Sequence, residues 1–191
     1  MKLLFVIDMQ NDFIDGVLGS PEAQTIVPKV AEKIKQYKND IVIVTYDTHY
    51  KDYLETEEGK HLPIIHCVFK EKGWELNKTI SEILATLDSD KYFVFTKESF
   101  GYPWNNESSF GLKVQINNYL FNKKIDEIEI VGLDTDFCVL ANAMTLKAAF
   151  PNVPITIDAA CCAGSTPEWH EKALDILEHC HFNVINRKEG E

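Results

Sequence analysis

The stretch IEIVGLDTDFCVLANAMTLKAAF, residues 128–150, decides the fold because it reads as a buried strand that leads directly into a helix. Its first part, Ile128 to Val131, is a short apolar run of the kind that forms strands covered on both faces. Its second part predicts a helix from Asp136 to Phe150. A strand that is followed at once by a helix is the repeating unit of an α/β protein with a parallel sheet.

The same pattern recurs along the chain, where short apolar runs alternate with longer amphipathic stretches. The predicted strands are Leu3 to Ile7, Ile41 to Tyr46, Tyr92 to Phe95, Ile128 to Val131, Ile155 to Ile157 and Phe182 to Ile185. The predicted helices are Pro21 to Tyr37, Lys78 to Leu87, Ser109 to Asn122, Asp136 to Phe150 and Pro167 to His179. Six buried strands with intervening helices indicate the α/β class.

The length of the chain fits one domain, residues 1–191, which can bury about 70% of its unfolded surface around a single core. We find neither an internal repeat nor a linker rich in Pro, Gly or Ser that would divide it. We therefore expect one fold and one main site.

The composition excludes several classes of partner. Lys and Arg number 19 and Asp and Glu number 30, so the net charge is −11. This charge repels phosphate backbones and anionic lipid surfaces, so we expect binding to neither nucleic acid nor membrane. The apolar run Leu3 to Ile7 is too short for a signal-peptide core or a membrane span. The expected location is the cytoplasm.

The cysteines do not form a recognisable framework. There are five of them, which is an odd number, and we expect all to be reduced. Cysteine is most often a small buried apolar residue, so a catalytic role for any of them has to be argued from its neighbours. The five are Cys67, Cys138, Cys161, Cys162 and Cys180.

Polar residues follow four of the predicted strands at their carboxyl ends. The first strand delivers Asp8, the second Asp47 and His49, and the third Lys97, and the fourth leads into the turn that carries Cys138. Ligands of open α/β sheets bind beyond the carboxyl ends of the strands. We therefore expect these residues, although distant in sequence, to converge on one crevice.

Three of these residues fit acyl transfer. Cys138 lies in the first turn of a predicted helix, where the helix dipole favours a thiolate, and Lys97 adds a second positive charge. Asp8 can accept the thiol proton and return it to a leaving amine. Backbone N–H groups from Leu133 through Asp134 to Cys138 can stabilise the oxyanion. An Asp or a Lys at a strand end is by itself usually structural; the combination of base, cation and nucleophile favours catalysis.

A metal site is predicted in the long irregular stretch from residue 47 to residue 75. Asp47, His49 and His66 supply one carboxylate and two imidazoles, a set that suits Zn, Fe or Mn and leaves positions open for water or substrate. By itself, a DxH pair with a distant His is a weak signal. Glu58 and His61 are alternative ligands, but we expect Glu58 to be a solvated surface residue and His61 an ordinary loop residue.

The sequence resembles the isochorismatase-like cysteine hydrolases, and specifically their nicotinamidase branch. The matching motifs occur in family order: VIDMQNDF (6–13), TYDTH (45–49), PIIHC (63–67), TKESF (96–100) and VGLDTDFCVLANA (131–143). The resemblance implies a three-layer α/β/α fold, Rossmann-like, with a six-stranded parallel sheet, and an assembly that is dimeric or tetrameric.

The resemblance also implies residue roles. Asp8, Lys97 and Cys138 correspond to a catalytic triad that forms a thioester acyl-enzyme, and the peptide bond before Asp134 is expected to be cis. Asp47 and the two histidines His49 and His66 correspond to ligands of a divalent ion, with Zn favoured, which holds the pyridine nitrogen of the substrate.

Five aromatic residues are candidates to line a slot for a flat substrate, namely Phe13, Trp74, Phe100, Tyr102 and Phe137. Phe13 is the strongest because it lies in the Asp8 motif, whereas core packing competes as the explanation for the other four. Two residues depart from the family pattern: Pro63 where many nicotinamidases have Trp or Phe, and Asp134 where many have a small residue.

The leading hypothesis is hydrolysis of nicotinamide to nicotinate and ammonia. A second hypothesis keeps the thiol chemistry and changes the substrate to another small amide, such as maleamate or a carbamoyl or ureido compound. Isochorismate cleavage is disfavoured because it does not need a cysteine nucleophile. A third hypothesis is a protein whose reactive thiol senses redox state without turning over amides.

Overall fold

The structure is a computed structural model that describes residues 1–102 and 123–187. Its strands form one parallel sheet in the order β3-β2-β1-β4-β5-β6. They are β1 (Lys2–Ile7), β2 (Ile41–Asp47), β3 (Tyr92–Lys97), β4 (Glu127–Leu133), β5 (Ile155–Ala163) and β6 (Asn183–Ile185). The order reverses between β1 and β4, and a crevice at such a switch point is where ligands of α/β sheets bind.

Helices cover both faces of the sheet, so the predicted three-layer α/β/α fold is confirmed. The described helices are α1 (Asn11–Ile14), α2 (Pro21–Gln36), α3 (Glu57–His61), α4 (Lys78–Leu84), α5 (Leu140–Ala149) and α6 (Pro167–His179). Alternate residues of β1 enter opposite cores: Leu4 and Val6 pack with α2 and α4, whereas Leu3 and Phe5 pack with α5 and α6. Among the described helices, none combines the length and the apolar character that crossing a bilayer requires.

Helix starts follow the predicted caps. The Ser20 side chain accepts a hydrogen bond from the Ala23 N–H at 3.0 Å, and the Thr166 side chain accepts one from the Trp169 N–H at 3.2 Å. In each case a proline occupies the first helical position, where its missing N–H costs nothing. The predicted helix over residues 109–122 lies outside the described residues.

Two boundaries differ from the sequence prediction. Strand β5 continues to Ala163 instead of ending at Ile157, because the carboxylate of Asp158 is buried and paired with Lys33 at 2.9 Å. The irregular stretch after β2 also contains a 3₁₀ turn, Tyr53–Glu55, and helix α3. The Asp158–Lys33 pair joins residues that are far apart in the sequence, whereas the start of α3 is capped locally by the Thr56 hydroxyl, which accepts from the Gly59 N–H at 3.0 Å.

Gly132 brings β1 and β4 into close contact near the carboxyl ends of these two strands. Its φ is +122°, and a Cβ at this position would lie 2.1 Å from the carbonyl oxygen of Ile7. Glycine is therefore required here. The close approach places the residue that follows β1, Asp8, beside the turn that follows β4.

Candidate active site

Asp8, Lys97 and Cys138 lie together at the carboxyl ends of β1, β3 and β4. The Lys97 ammonium nitrogen is 2.6 Å from Asp8 Oδ2 and 3.4 Å from Cys138 Sγ. The exposed fractions of the three residues are 0%, 2% and 4% in that order, so water is largely excluded from these contacts. In such surroundings the positive charge of Lys97 acts strongly on both the carboxylate and the sulfur.

Asp8 is held by its own backbone and by Thr45 of β2. Its φ is +48°, in the left-handed region that a non-glycine residue rarely adopts. The Thr45 hydroxyl donates to Asp8 Oδ1 at 2.6 Å and accepts from the Asp8 N–H at 3.2 Å. Both hydrogen bonds are buried, and they fix the direction in which the Asp8 carboxylate points.

Cys138 is carried by a single π-helical turn, Thr135–Val139, which leads into α5. The carbonyl oxygen of Asp134 accepts hydrogen bonds from the N–H groups of Phe137 at 3.1 Å and Val139 at 3.0 Å. The predicted cis peptide bond, Leu133–Asp134, is present. Sequence reasoning predicted an ordinary helix from Asp136, whereas the structure has a wider π turn, a feature that is frequent at functional sites.

Burial is the main influence on the pKa values of Cys138 and Asp8. It raises the pKa of the Cys138 thiol well above its ordinary value; Lys97 opposes this shift and the negative charge of Asp8 adds to it. Burial also raises the pKa of Asp8, against the effect of Lys97. This direction favours a thiol as the resting form of the sulfur, whereas the helix-dipole argument from sequence favoured a thiolate. An adjacent carboxylate of raised pKa is a suitable acceptor for that proton.

Four side chains beside this group could hold a metal ion: Asp47, His49, Glu58 and His66 each offer a ligand atom, and these atoms lie within 4.8 Å of one another. His49 Nε2 is 2.9 Å from Asp47 Oδ2 and 3.5 Å from Glu58 Oε1. Two ligands that are each about 2.1 Å from one ion stand about 3.0–3.4 Å apart, so the observed separations fit a shared ion.

The hydrogen bonding of the histidines also fits a metal. His49 Nε2 is buried and has no hydrogen-bond partner among the described residues, despite its closeness to Asp47. His66 Nδ1 lies 2.8 Å from the carbonyl oxygen of Ile64, which leaves Nε2 as the ligand atom. A backbone carbonyl on the far nitrogen is the usual support of a metal-binding histidine.

The sequence prediction that Glu58 is a solvated surface residue is wrong. Helix α3 turns its carboxylate toward His49 and toward His66 Nε2, which is 3.9 Å away. His61 is an exposed residue at the end of the same helix rather than in a loop, and it is not part of the four-residue group. A short helix inside a predicted loop brings Glu58 inward and leaves His61 at the rim.

A cavity of about 730 Å³ opens onto Cys138 and Asp47. Of the aromatic residues singled out in the sequence, Phe13, Phe100 and Phe137 lie in its wall. The ring centres of Phe100 and Phe137 are 5.2 Å apart, and the ring of Phe13 packs 5.6 Å from that of His66. An apolar wall with a few polar groups is typical of a site for a small flat molecule.

Trp74 and Tyr102 do not lie in the cavity wall. The Trp74 ring packs 4.9 Å from Tyr46, and its N–H donates to the Thr48 hydroxyl at 2.9 Å. Tyr102 packs 5.5 Å from Phe95. Core packing, the competing explanation for both residues, accounts for their positions.

The family model described as "Isochorismatase domain" matches residues 2–189. The chain belongs to the isochorismatase family. A nicotinamidase from Saccharomyces cerevisiae is 27% identical over 222 residues, covering 98% of this chain and 100% of the relative.

Solved structures share the isochorismatase-family fold. A nicotinamidase/pyrazinamidase from Bacillus subtilis superposes with a TM-score of 0.78 at 23% identity, covering 96% of this chain and 98% of its own. A pyrazinamidase of Pyrococcus horikoshii in complex with zinc gives 0.74 at 23% identity, covering 97% and 99%. At these identities the likeness shows the fold.

Gln10 positions both groups of this isochorismatase-family site, and sequence reasoning missed it. It is fully buried, and its side-chain NH₂ donates to the carbonyl oxygens of Asp47 and Trp74, both at 2.8 Å. Its side-chain oxygen accepts from the Asp47 N–H at 2.7 Å. Gln10 thereby joins the segment after β1, which carries Asp8, to Asp47 of the four-residue group.

Asp12 and Asn142 support the two groups in a similar way. Asp12 Oδ2 accepts from the Cys67 N–H at 2.7 Å and so fixes the residue that follows His66. The Asn142 side-chain NH₂ donates to the carbonyl oxygen of Cys138 at 2.8 Å. The available signal was a polar residue inside one of the stretches that resemble the family motifs, a signal that Gln10 and Thr45 share.

Proposed function

We propose that this chain is a cysteine hydrolase of amide C–N bonds that converts nicotinamide and water to nicotinate and ammonia through a thioester. The observation that carries the proposal is the contact of Lys97 with both Asp8 and Cys138 at the end of a cavity that also contains Asp47. A nucleophile, an acid–base group and a metal-ligand group then face one small volume. The names of the relatives support this choice of substrate.

The cavity binds and orients the amide. The rings of Phe13, Phe100 and Phe137 form the apolar wall against which a pyridine ring packs. Asp47, Glu58 and the two histidines of the four-residue group would hold a divalent ion, which when bound supplies a Lewis acid for the pyridine nitrogen. We propose Zn as this ion, with Fe and Mn as the alternatives, because the donor set is carboxylate and imidazole.

In the first half-reaction, the proton of the Cys138 thiol moves to Asp8 and the sulfur attacks the amide carbon. The N–H groups of Leu133, Asp134 and Cys138 are the proposed donors to the oxyanion. When this intermediate collapses, the C–N bond breaks and Asp8 gives its proton to the leaving nitrogen, which departs as ammonia. Lys97 offsets the negative charge of the thiolate while it exists.

In the second half-reaction, Asp8 takes a proton from water, and the hydroxide attacks the thioester carbonyl. The C–S bond breaks, and the proton returns from Asp8 to the sulfur of Cys138. The resting thiol is restored, and the acid product gives its carboxyl proton to ammonia or water and leaves as nicotinate. We propose that residues 1–191 carry this chemistry as one domain and that the protein forms a homo-oligomer.

Ammonia release tests the proposal. The purified protein should release one ammonia per nicotinamide, Cys138→Ala should abolish the activity, and Lys97→Ala should lower it by at least a hundredfold. A chelator should remove the activity, and added Zn, Fe or Mn should restore it. Activity in Cys138→Ala equal to that of the wild type would disprove the thiol mechanism, whereas turnover of maleamate or ureido acids in place of nicotinamide would reassign the substrate.

A further inference from the structure

Asp134 lines the cavity, and its carboxyl group has no partner among the described residues. Asp134 lines the same cavity as Cys138, and it is the residue at which β4 ends and the Cys138 turn begins. Its backbone carbonyl is engaged by Phe137 and Val139, but its side chain makes neither a hydrogen bond nor an ion pair with the residues in 1–102 and 123–187. A polar group in that position is available to a bound molecule.

The other carboxylates of the cavity wall face cationic or metal-binding groups. Asp47 is 3.2 Å from the Lys97 ammonium, and Glu58 lies 3.5 Å from His49. Glu57 pairs with Lys60, and its side chain is 82% exposed, so water screens it. Asp134 therefore differs from the others because its carboxylate, when charged, forms no ion pair with the described residues of the cavity wall.

The neighbours of Asp134 oppose its ionisation. Burial, then the negative charges of Asp136 and Asp8, raise the pKa of Asp134 to about 7, and His66 acts in the opposite direction. His61 also lines the cavity. Above neutral pH this raised pKa favours a carboxylate at Asp134, in the wall that also contains Cys138.

We propose that Asp134 makes the cavity selective for uncharged amides and against compounds that carry a carboxylate, including the acid product of the reaction. This inference rests on the proposed function. Substrate and product differ where an amide NH₂ becomes a carboxylate oxygen, at the reacting carbon itself. Repulsion by Asp134 acts on the product and leaves the neutral substrate unaffected, so it favours release of the acid and disfavours amides that bear a second acidic group.

The test compares product inhibition with substrate affinity at pH 8. In the wild type the ratio of the nicotinate Ki to the nicotinamide KM should be high, and Asp134→Asn should lower it about tenfold, as expected for one uncompensated charge in a partly screened site. Glu57→Gln is the matched control, because it removes the same charge from the screened rim, and it should change the ratio less than twofold.

An unchanged ratio in Asp134→Asn, or an equal fall in Glu57→Gln, would overturn the inference. Should Asp134→Asn fail to fold by circular dichroism, Asp134→Ala removes the same charge and should lower the ratio in the same direction. Should the wild type not hydrolyse nicotinamide, the proposed function fails separately. Dissociation constants of nicotinate and nicotinamide from titration calorimetry then give the same comparison.

Discussion

Replacing Gln10 tests whether one side chain joins the segment that carries Asp8 to Asp47 of the four-residue group. Gln10→Ala removes three buried hydrogen bonds, two to the backbone of Asp47 and one to the carbonyl of Trp74. A buried hydrogen bond contributes about 1 kcal/mol net, and the loss is larger where a partner is left unsatisfied. We therefore expect the free energy of unfolding to fall by about 3–5 kcal/mol.

Urea unfolding of the metal-free protein measures this loss. The midpoint should fall while the m-value stays constant, because the variant exposes the same surface on unfolding. The matched control is Gln24→Ala, which removes the same side chain from an exposed position on α2 and should cost less than about 0.5 kcal/mol.

Metal affinity provides the second measurement on the Gln10 variant. Loss of a group that orients a metal ligand typically weakens binding by about 10–100-fold, and competition with a chromophoric chelator detects that change for Zn. A loss below about 1 kcal/mol together with unchanged Zn affinity would refute the reasoning, since Gln10 would then support neither the fold nor Asp47.

Three further predictions follow from individual contacts. Thr45→Val removes the hydroxyl that donates to Asp8 Oδ1, so the pKa of Asp8 should rise and the acid limb of the pH–rate profile should move to higher pH; an unmoved limb contradicts this role. Asn142→Ala should lower kcat about tenfold and also raise KM, because the Asn142 side chain donates to the carbonyl oxygens of both Cys138, at 2.8 Å, and the cavity-wall residue Phe100, at 3.0 Å; an unchanged kcat would disagree. Asp134→Asn should flatten part of the dependence of the free energy of unfolding on pH. The pKa of Asp134 in the native state, about 7, lies above the ordinary 3.8, so the native state binds more protons and its stability falls as pH rises from about 4 to 7. Urea titrations at pH 5 and pH 8 measure this slope, and an identical slope in the variant would count against it.

Local sequence patterns were sufficient for the sheet and for Asp8, Lys97 and Cys138. Each apolar run predicts where a strand starts to within one residue, and the polar residues expected after the first three runs lie at or just beyond the carboxyl ends of β1, β2 and β3. Because the carboxyl ends of parallel strands lie at one edge of the sheet, convergence follows once the strands are assigned. The spacing of Asp47 and His49 belongs to the same kind of local information.

Glu58 and Asp158 show where this reasoning stops. The sequence around Glu58 is rich in charge and reads as a solvated loop, and only the packing of α3 turns that carboxylate toward His49. Asp158 reads as the polar end of a strand, but its partner Lys33 comes from α2 and allows β5 to continue. Contacts between distant segments decided both positions, and a single sequence does not specify them.

Trp74 and Tyr102 illustrate a different limit. An aromatic residue close to a motif suits a core position as well as a binding wall, and composition does not separate the two. Phe13 on α1, Phe100 after β3 and Phe137 on the π turn come from three separate segments and line the cavity together with Cys138. The direction of a side chain is set by those segments, beyond what periodicity describes.

Trapping the acyl-enzyme tests the central claim most directly. Wild-type protein mixed with nicotinamide, quenched in acid within milliseconds and analysed as intact protein should gain the mass of one nicotinoyl group. Peptide mapping should place that group on Cys138, and the gain should be absent in Cys138→Ala and disappear in the wild type as nicotinate accumulates. Steady release of ammonia without any adduct on Cys138, or with an adduct on another cysteine, would contradict the mechanism.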